Sequence, residues 1–91
     1  MSTKAGILSA IKAKVGTTQL GIWRIGLTHD LADRKKYWAE TENQSTTYWS
    51  AWEADSLSDA QEIEADYIES GMKGGTGGNL SAYKTVFVYV F

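Results

Sequence analysis

Arg34 and Glu64 are set apart by where a helical repeat puts them. Leu31, Arg34 and Trp38 fall at i, i+3 and i+7. The guanidinium therefore shares a helix face with two apolar anchors, while Lys35 and Lys36 point outward. An arginine on a packed face needs a partner: a carboxylate, a phosphate oxygen or the face of a tryptophan. Ala60, Glu64 and Ile68 fall at i, i+4 and i+8, beside Ile63 and Tyr67. Glu64 thus lies on or next to an apolar stripe, and Glu62, Asp66 and Glu69 face solvent. A carboxylate so placed can hold a hard divalent cation through oxygen, with water and phosphate filling the other positions. It can equally pair with Arg34 or Arg24.

Three further features bear on chemistry. His29, the one histidine, stands in a strand-to-helix turn beside Asp30. It can act as a general base near neutral pH, or simply be solvated. The run Lys73-Gly-Gly-Thr-Gly-Gly-Asn79 can shape a backbone nest for an anion. It lacks the Gly-Lys-Ser/Thr ending and following helix of a phosphate-binding P-loop, so it reads more simply as a connector. Trp23, Tyr48, Trp49 and Trp52 can stack bases or sugars, or build the core of a small domain.

Elements must position these groups, and the chain is short. Ninety-one residues suit one domain with one modest core. There is no cysteine, which excludes disulfides and thiolate metal sites. No segment approaches the roughly 20 apolar residues of a membrane span, and the start is a poor signal peptide. A cytoplasmic protein without membrane contact is expected. The net charge of −2 hides an asymmetry. Residues 1–38 carry seven basic groups against two acidic; residues 39–91 carry two against nine. A polyanion such as DNA or RNA can use the basic half, or the halves can attract each other on folding.

The pattern predicts the order α-β-α-β-α-β. Residues 4–15 read as an amphipathic helix, with Leu8, Ile11 and Val15 on one face, capped by Ser2 or Thr3 and stopped at Gly16. Residues 19–28 read as a strand with Trp23, Ile25 and Leu27 on one face. Asp30 caps a helix over 31–40. Residues 46–54 read as an aromatic strand. Ser58-Asp-Ala-Gln61 reads as a capping box opening a helix that Gly71 ends. Residues 84–91 alternate Val86, Val88, Val90 against Phe87, Tyr89, Phe91 and read as the last strand. The expected fold is α/β (α+β): a mixed three-stranded sheet with three helices, packed mainly on the Trp23 face.

Gly26-Leu-Thr-His-Asp-Leu-Ala-Asp-Arg34 resembles the second half of the GIY-YIG nuclease motif, a G-x-[ST]-x-[DN]-L-x-x-R run. Ser56-Leu-Ser-Asp-Ala-Gln-Glu-Ile-Glu64 is similar to the S-x-x-A-x-x-x-E register that follows in compact relatives. The resemblance covers residues 20–70. It implies a small domain in which two strand tyrosines, a helix arginine and a later glutamate surround a scissile phosphate. The arginine carries over to Arg34, the metal glutamate to Glu64, the motif glycine to Gly26 and the hydroxyl position to Thr28. The tyrosine of the YIG half falls on Arg24, and residues 4–16 are helical where the GIY strand belongs. A permuted arrangement supplies the missing strand. Residues 85–91, laid antiparallel beside 20–27, present Tyr89.

The resemblance implies an endonuclease using Mg²⁺ or Mn²⁺ on nucleic acid. Arg34 stabilises phosphate charge and Glu64 holds the metal. Tyr89 or His29 positions or deprotonates water. Arg24, Gly26, Thr28 and Lys35 contact substrate. The alternative is a catalytically inactive relative that binds protein or nucleic acid.

Overall fold

The computed structural model describes residues 3–74, 80, 83 and 85–91. Helix α1 spans Lys4–Val15 and is capped by the Thr3 hydroxyl, which accepts from the Gly6 N–H at 3.0 Å. Ile7, Ile11 and Val15 form its buried stripe, and Gly16 ends it at φ 56°, a conformation that favours glycine. The segment read as a strand over 19–28 begins instead as a short 3-10 turn, Leu20–Ile22, before strand β1, Arg24–Thr28.

Helix α2, Leu31–Lys36, is capped by Asp30, whose carboxylate accepts from the Asp33 N–H at 3.1 Å. The α geometry stops short of residue 40. It widens into one π turn, Tyr37–Thr41, in which the Glu42 N–H reaches back five residues to the Tyr37 carbonyl. Strand β2 is confined to Ser50–Glu53, so Tyr48 and Trp49 precede it. Helix α3, Leu57–Glu69, starts two residues before the expected capping box. Ser56, not Ser58, takes the Asp59 N–H at 3.1 Å. Strand β3 is the pair Lys73–Gly74, and strand β4 is Phe87–Val90.

Among the described residues the sheet has four strands, one more than expected, in the order β2-β4-β1-β3. Strand β4 runs antiparallel to β1, pairing Tyr89 with Gly26 and Val88 with Leu27. It also runs antiparallel to β2 on its other side. The extra strand β3 lies parallel to β1, its ladder opened by the Lys73 N–H on the Trp23 carbonyl at 2.9 Å. Its two residues open the glycine run, which thus begins as a strand and not as a connector. The rest of that run, residues 75–79, lies outside the described residues.

Alternation along the strands divides the sheet. Ile25, Leu27, Val88 and Val90 point to one face, where they form a core with Ile7 and Ile11 of α1 and Ala60 and Ile63 of α3. Trp23 packs against the same core, as expected. Tyr89 points to the opposite face, which Trp38 of the π turn helps to cover. No helix among the described residues is long and apolar enough to cross a membrane.

Candidate active site and adjoining groove

The second face is built around Tyr89. Its side chain is fully buried. Its ring lies against the bare backbone of Gly26, its partner on β1. A Cβ at Gly26 would overlap the phenol ring and hydroxyl, so only glycine leaves room for this tyrosine. Trp49 stacks on the same ring at 4.6 Å with 9° between the planes. The Trp38 indole N–H donates to the Tyr89 hydroxyl oxygen at 2.9 Å. No acceptor among the described residues takes the phenol proton.

Charged groups surround this phenol. Burial raises its pKa, the Trp38 hydrogen bond lowers it, Arg34 lowers it, Glu64 raises it and Arg24 lowers it, in that order of size. Arg24, Arg34 and Glu64, from β1, α2 and α3, thus each act electrostatically on Tyr89 of β4. The net upward shift keeps the phenol protonated at neutral pH. Tyr89 is then a hydrogen-bond donor rather than a base.

Glu64 is half-buried and makes no hydrogen bond or ion pair with any described residue. Burial alone pushes its carboxyl pKa up. The ion pairs between described residues join Lys4 to Glu62 at 2.6 Å and Lys36 to Glu40 at 3.9 Å. Neither uses Glu64. Among the described residues no three His, Cys, Asp or Glu side chains gather as a metal cluster. A cation beside Glu64 would have one protein carboxylate there, and its charge would offset the cost of burying that group.

Arg34 is half-buried, with its guanidinium carbon 5.0 Å from the Tyr37 ring centroid. The tryptophan face considered for it is taken by Arg24 instead, 4.5 Å above Trp38. Arg24 also donates from Nη1 to the Gly74 carbonyl at 2.6 Å, which fixes the guanidinium between two elements.

The remaining expected residues divide differently. The Thr28 hydroxyl is buried and saturated within its own turn. It donates to the Asp30 carbonyl at 3.1 Å and accepts from the Asp30 N–H at 3.0 Å. Its role is to turn the chain from β1 into α2. His29 is exposed and stacks on Tyr83, centroids 3.7 Å apart. Lys35 is exposed on the outer face of α2. Trp38 was legible only as an apolar anchor. Its bond to Tyr89 depends on the π turn, which no residue in 37–41 announces.

A groove opens beside this face. One part, about 420 Å³, is lined by Lys14, Thr18, Ile22, Trp23, Tyr48 and Phe91. A second, about 350 Å³, shares Ile22, Tyr48 and Phe91 and adds Arg24, Gln44 and Lys73 among its walls. No model of a protein family matches the chain, and neither a curated protein nor a solved structure shows significant similarity to it.

Proposed function

We propose that the chain is a GIY-YIG-like domain, permuted in strand order, that cleaves phosphodiester bonds of nucleic acid with one divalent cation. The observation that carries this reading is the convergence on Tyr89. A strand from the far end of the chain lies antiparallel to β1, and its tyrosine lies near enough to Arg34 and Glu64 for both charges to act on its phenol. The sequence register suggests those same two residues independently.

Within this reading each group has a physical task. The Arg34 guanidinium offers planar paired donors to phosphate oxygens, which bind more tightly as negative charge develops on them. Arg24, held by Trp38 and the Gly74 carbonyl, adds fixed positive charge at low reorganisation cost. Tyr89 offers a phenol proton to an oxygen at the reacting centre and stays neutral while doing so. Glu64 would hold Mg²⁺ or Mn²⁺, which when bound supplies Lewis-acid stabilisation of the phosphate. Gly26 serves through its missing side chain.

The second reading, a catalytically silent module that binds nucleic acid or protein, draws on one observation. Tyr89 is fully buried beneath Trp49. Substrate reaches the phenol only if the side chains that enclose it move.

A cleavage assay on single-stranded, duplex and branched DNA with Mg²⁺ or Mn²⁺ separates the readings. The first expects cleavage that chelation abolishes and that Glu64→Ala removes. Arg34→Lys keeps the charge but loses the paired donors, and should lower the rate about 10²–10³-fold with little change in melting temperature. No cleavage by the wild-type chain, with DNA binding intact, supports the silent module. A sharp fall in the melting temperature of Arg34→Lys, with neither protein active, makes Arg34 architecture.

A further inference from the structure

The two cavities share Ile22, Tyr48 and Phe91, so they form one groove with Lys14 near one end and Arg24 and Lys73 near the other. Its chemistry differs from that of the chain as a whole. The chain has 11 acidic residues against nine basic ones, yet among the described residues no Asp or Glu side chain lines the groove. Three cations do. Two of them sit over aromatic rings, Lys14 5.6 Å over Trp23 and Arg24 4.5 Å over Trp38, and Lys73 lines the same part of the groove as Tyr48 and Phe91.

Tyr48 is 70% exposed and Ile22 64%. Tyr48 just precedes β2 and shows no ring-ring contact among the described residues, whereas its neighbour Trp49 is committed to Tyr89 and Phe91. An aromatic ring held at a groove wall, with cations on both sides, is a stacking platform next to an electrostatic track. Single-stranded nucleic acid matches both halves of that surface, because its unpaired bases offer π-faces between regularly spaced phosphates. A duplex presents phosphates but keeps its base faces stacked. An acidic peptide satisfies the cations and leaves the platform unused.

We propose that this groove binds a short single-stranded segment of nucleic acid, one base stacking on Tyr48 and the flanking phosphates meeting Lys73 with Arg24 on one side and Lys14 on the other. The groove also has a direction. Phe91 lines it and lies 6.0 Å from the Tyr89 ring, so a strand bound there leads to the edge of the candidate active site. The assignment rests on the nucleic-acid reading above for its class of ligand and shares Arg24 with the candidate active site, but uses neither Tyr89, Arg34 nor Glu64.

Fluorescence anisotropy with labelled oligo(dT) of 12 nucleotides, in chelator, tests the groove without cleavage. The expected result is saturable binding at low salt, tighter than for a 12-base-pair duplex or for free thymidine monophosphate. Tyr48→Ala should weaken oligo(dT) binding about tenfold. Lys73→Ala should make the slope of log affinity against log salt shallower by about 0.7, the share of one phosphate contact on a single strand. Tyr48 is exposed enough that its replacement leaves the fold intact, which circular dichroism checks. Absence of strand binding, unchanged affinity in Tyr48→Ala, or equal binding of the mononucleotide would each overturn the proposal. So would displacement of the strand by poly-glutamate at equal charge concentration. If the strand binds and no substrate is cut, the groove stands and the nuclease reading fails. If duplex is cut but strands do not bind, the reverse holds.

Discussion

The two faces of the sheet are made from the same two central strands and could hardly differ more. On one, Ile25 and Leu27 meet Val88 and Val90 under α1 and α3, an aliphatic core. On the other, Arg24, Gly26 and Thr28 meet Phe87, Tyr89 and Phe91, with Trp38 and Trp49 packed over them. The first face is interchangeable oil, and a similar volume of other aliphatic residues fills it. The second depends on particular atoms: a missing Cβ, an indole N–H, a phenol oxygen and two guanidinium groups. Burial alone explains the first face. It does not explain why the second keeps charge and hydrogen-bonding capacity beside a fully buried ring, and that is the physical ground for proposing function there.

Substitutions can sharpen this contrast. The largest effect belongs to the aliphatic face. Ile25→Ala removes a fully buried side chain from a central strand and should cost about 2–5 kcal/mol, as such core truncations do. Chemical denaturation measures it. Nucleic-acid binding, assayed well below the new melting temperature, should persist. Loss of binding in a still-folded Ile25→Ala would mean that the faces are not separable.

Gly26→Ala makes the opposite test with one methyl group. The new Cβ would overlap the Tyr89 ring, which Trp49 and Trp38 hold from the other directions. Relief requires the ring to move. The expected cost is about 1–3 kcal/mol, the usual range for overpacking. Any cleavage should fall with it. A double variant, Gly26→Ala with Tyr89→Ala, should lose less stability than the two single changes added, because the clash vanishes with the ring.

What the sequence makes legible follows the same division. The aliphatic face is periodic, so α1, α3 and the alternation in β4 could be read from spacing. The placement of residues 84–91 beside β1 could also be argued, because an apolar final strand needs cover. Other elements escaped for local reasons. Strand β3 is two residues long, and its partner β1 is too distant in sequence for any local pattern to reveal. Tyr48 and Trp49 of the 46–54 run are aromatic, as strands favour, yet both stay outside the ladder. The reading of Glu64 as a possible partner of Arg34 or Arg24 followed from helix faces, which set direction but not distance. Thr28 was assigned to substrate from its motif position, whereas both of its hydrogen bonds close a turn.

Tyr89→Phe isolates a single oxygen on the aromatic face. The ring, its stack on Trp49 and its fit over Gly26 all remain. What is lost is the acceptor for the Trp38 N–H, and Trp38 is itself buried. A buried donor left unsatisfied costs about 1–3 kcal/mol. Under the nuclease reading cleavage should disappear while oligonucleotide binding stays. Full cleavage by the phenylalanine variant would make the phenol a packing group and move the search for a water-positioning group to His29.

The smallest expected effect has the most informative sign. Burial raises the Glu64 pKa above that of the unfolded chain. The folded protein therefore holds the proton more tightly, so this group's contribution to stability is full below the ordinary carboxylate range. It is lost as pH rises through the folded pKa, where the charged form must be buried. Glu64→Gln is neutral at every pH and escapes that loss. Its melting temperature should exceed that of wild type at pH 7, and the gap should close as pH falls below about 4. Added Mg²⁺ or Mn²⁺ should raise the wild-type melting temperature at pH 7 and leave Glu64→Gln unmoved, because only the carboxylate gains a counter-charge. A glutamine variant less stable than wild type at pH 7 would show that Glu64 is already neutralised by a protein cation. In that case the aromatic face would hold an internal salt bridge where the metal is proposed, and the groove beside it would be the better claim to function.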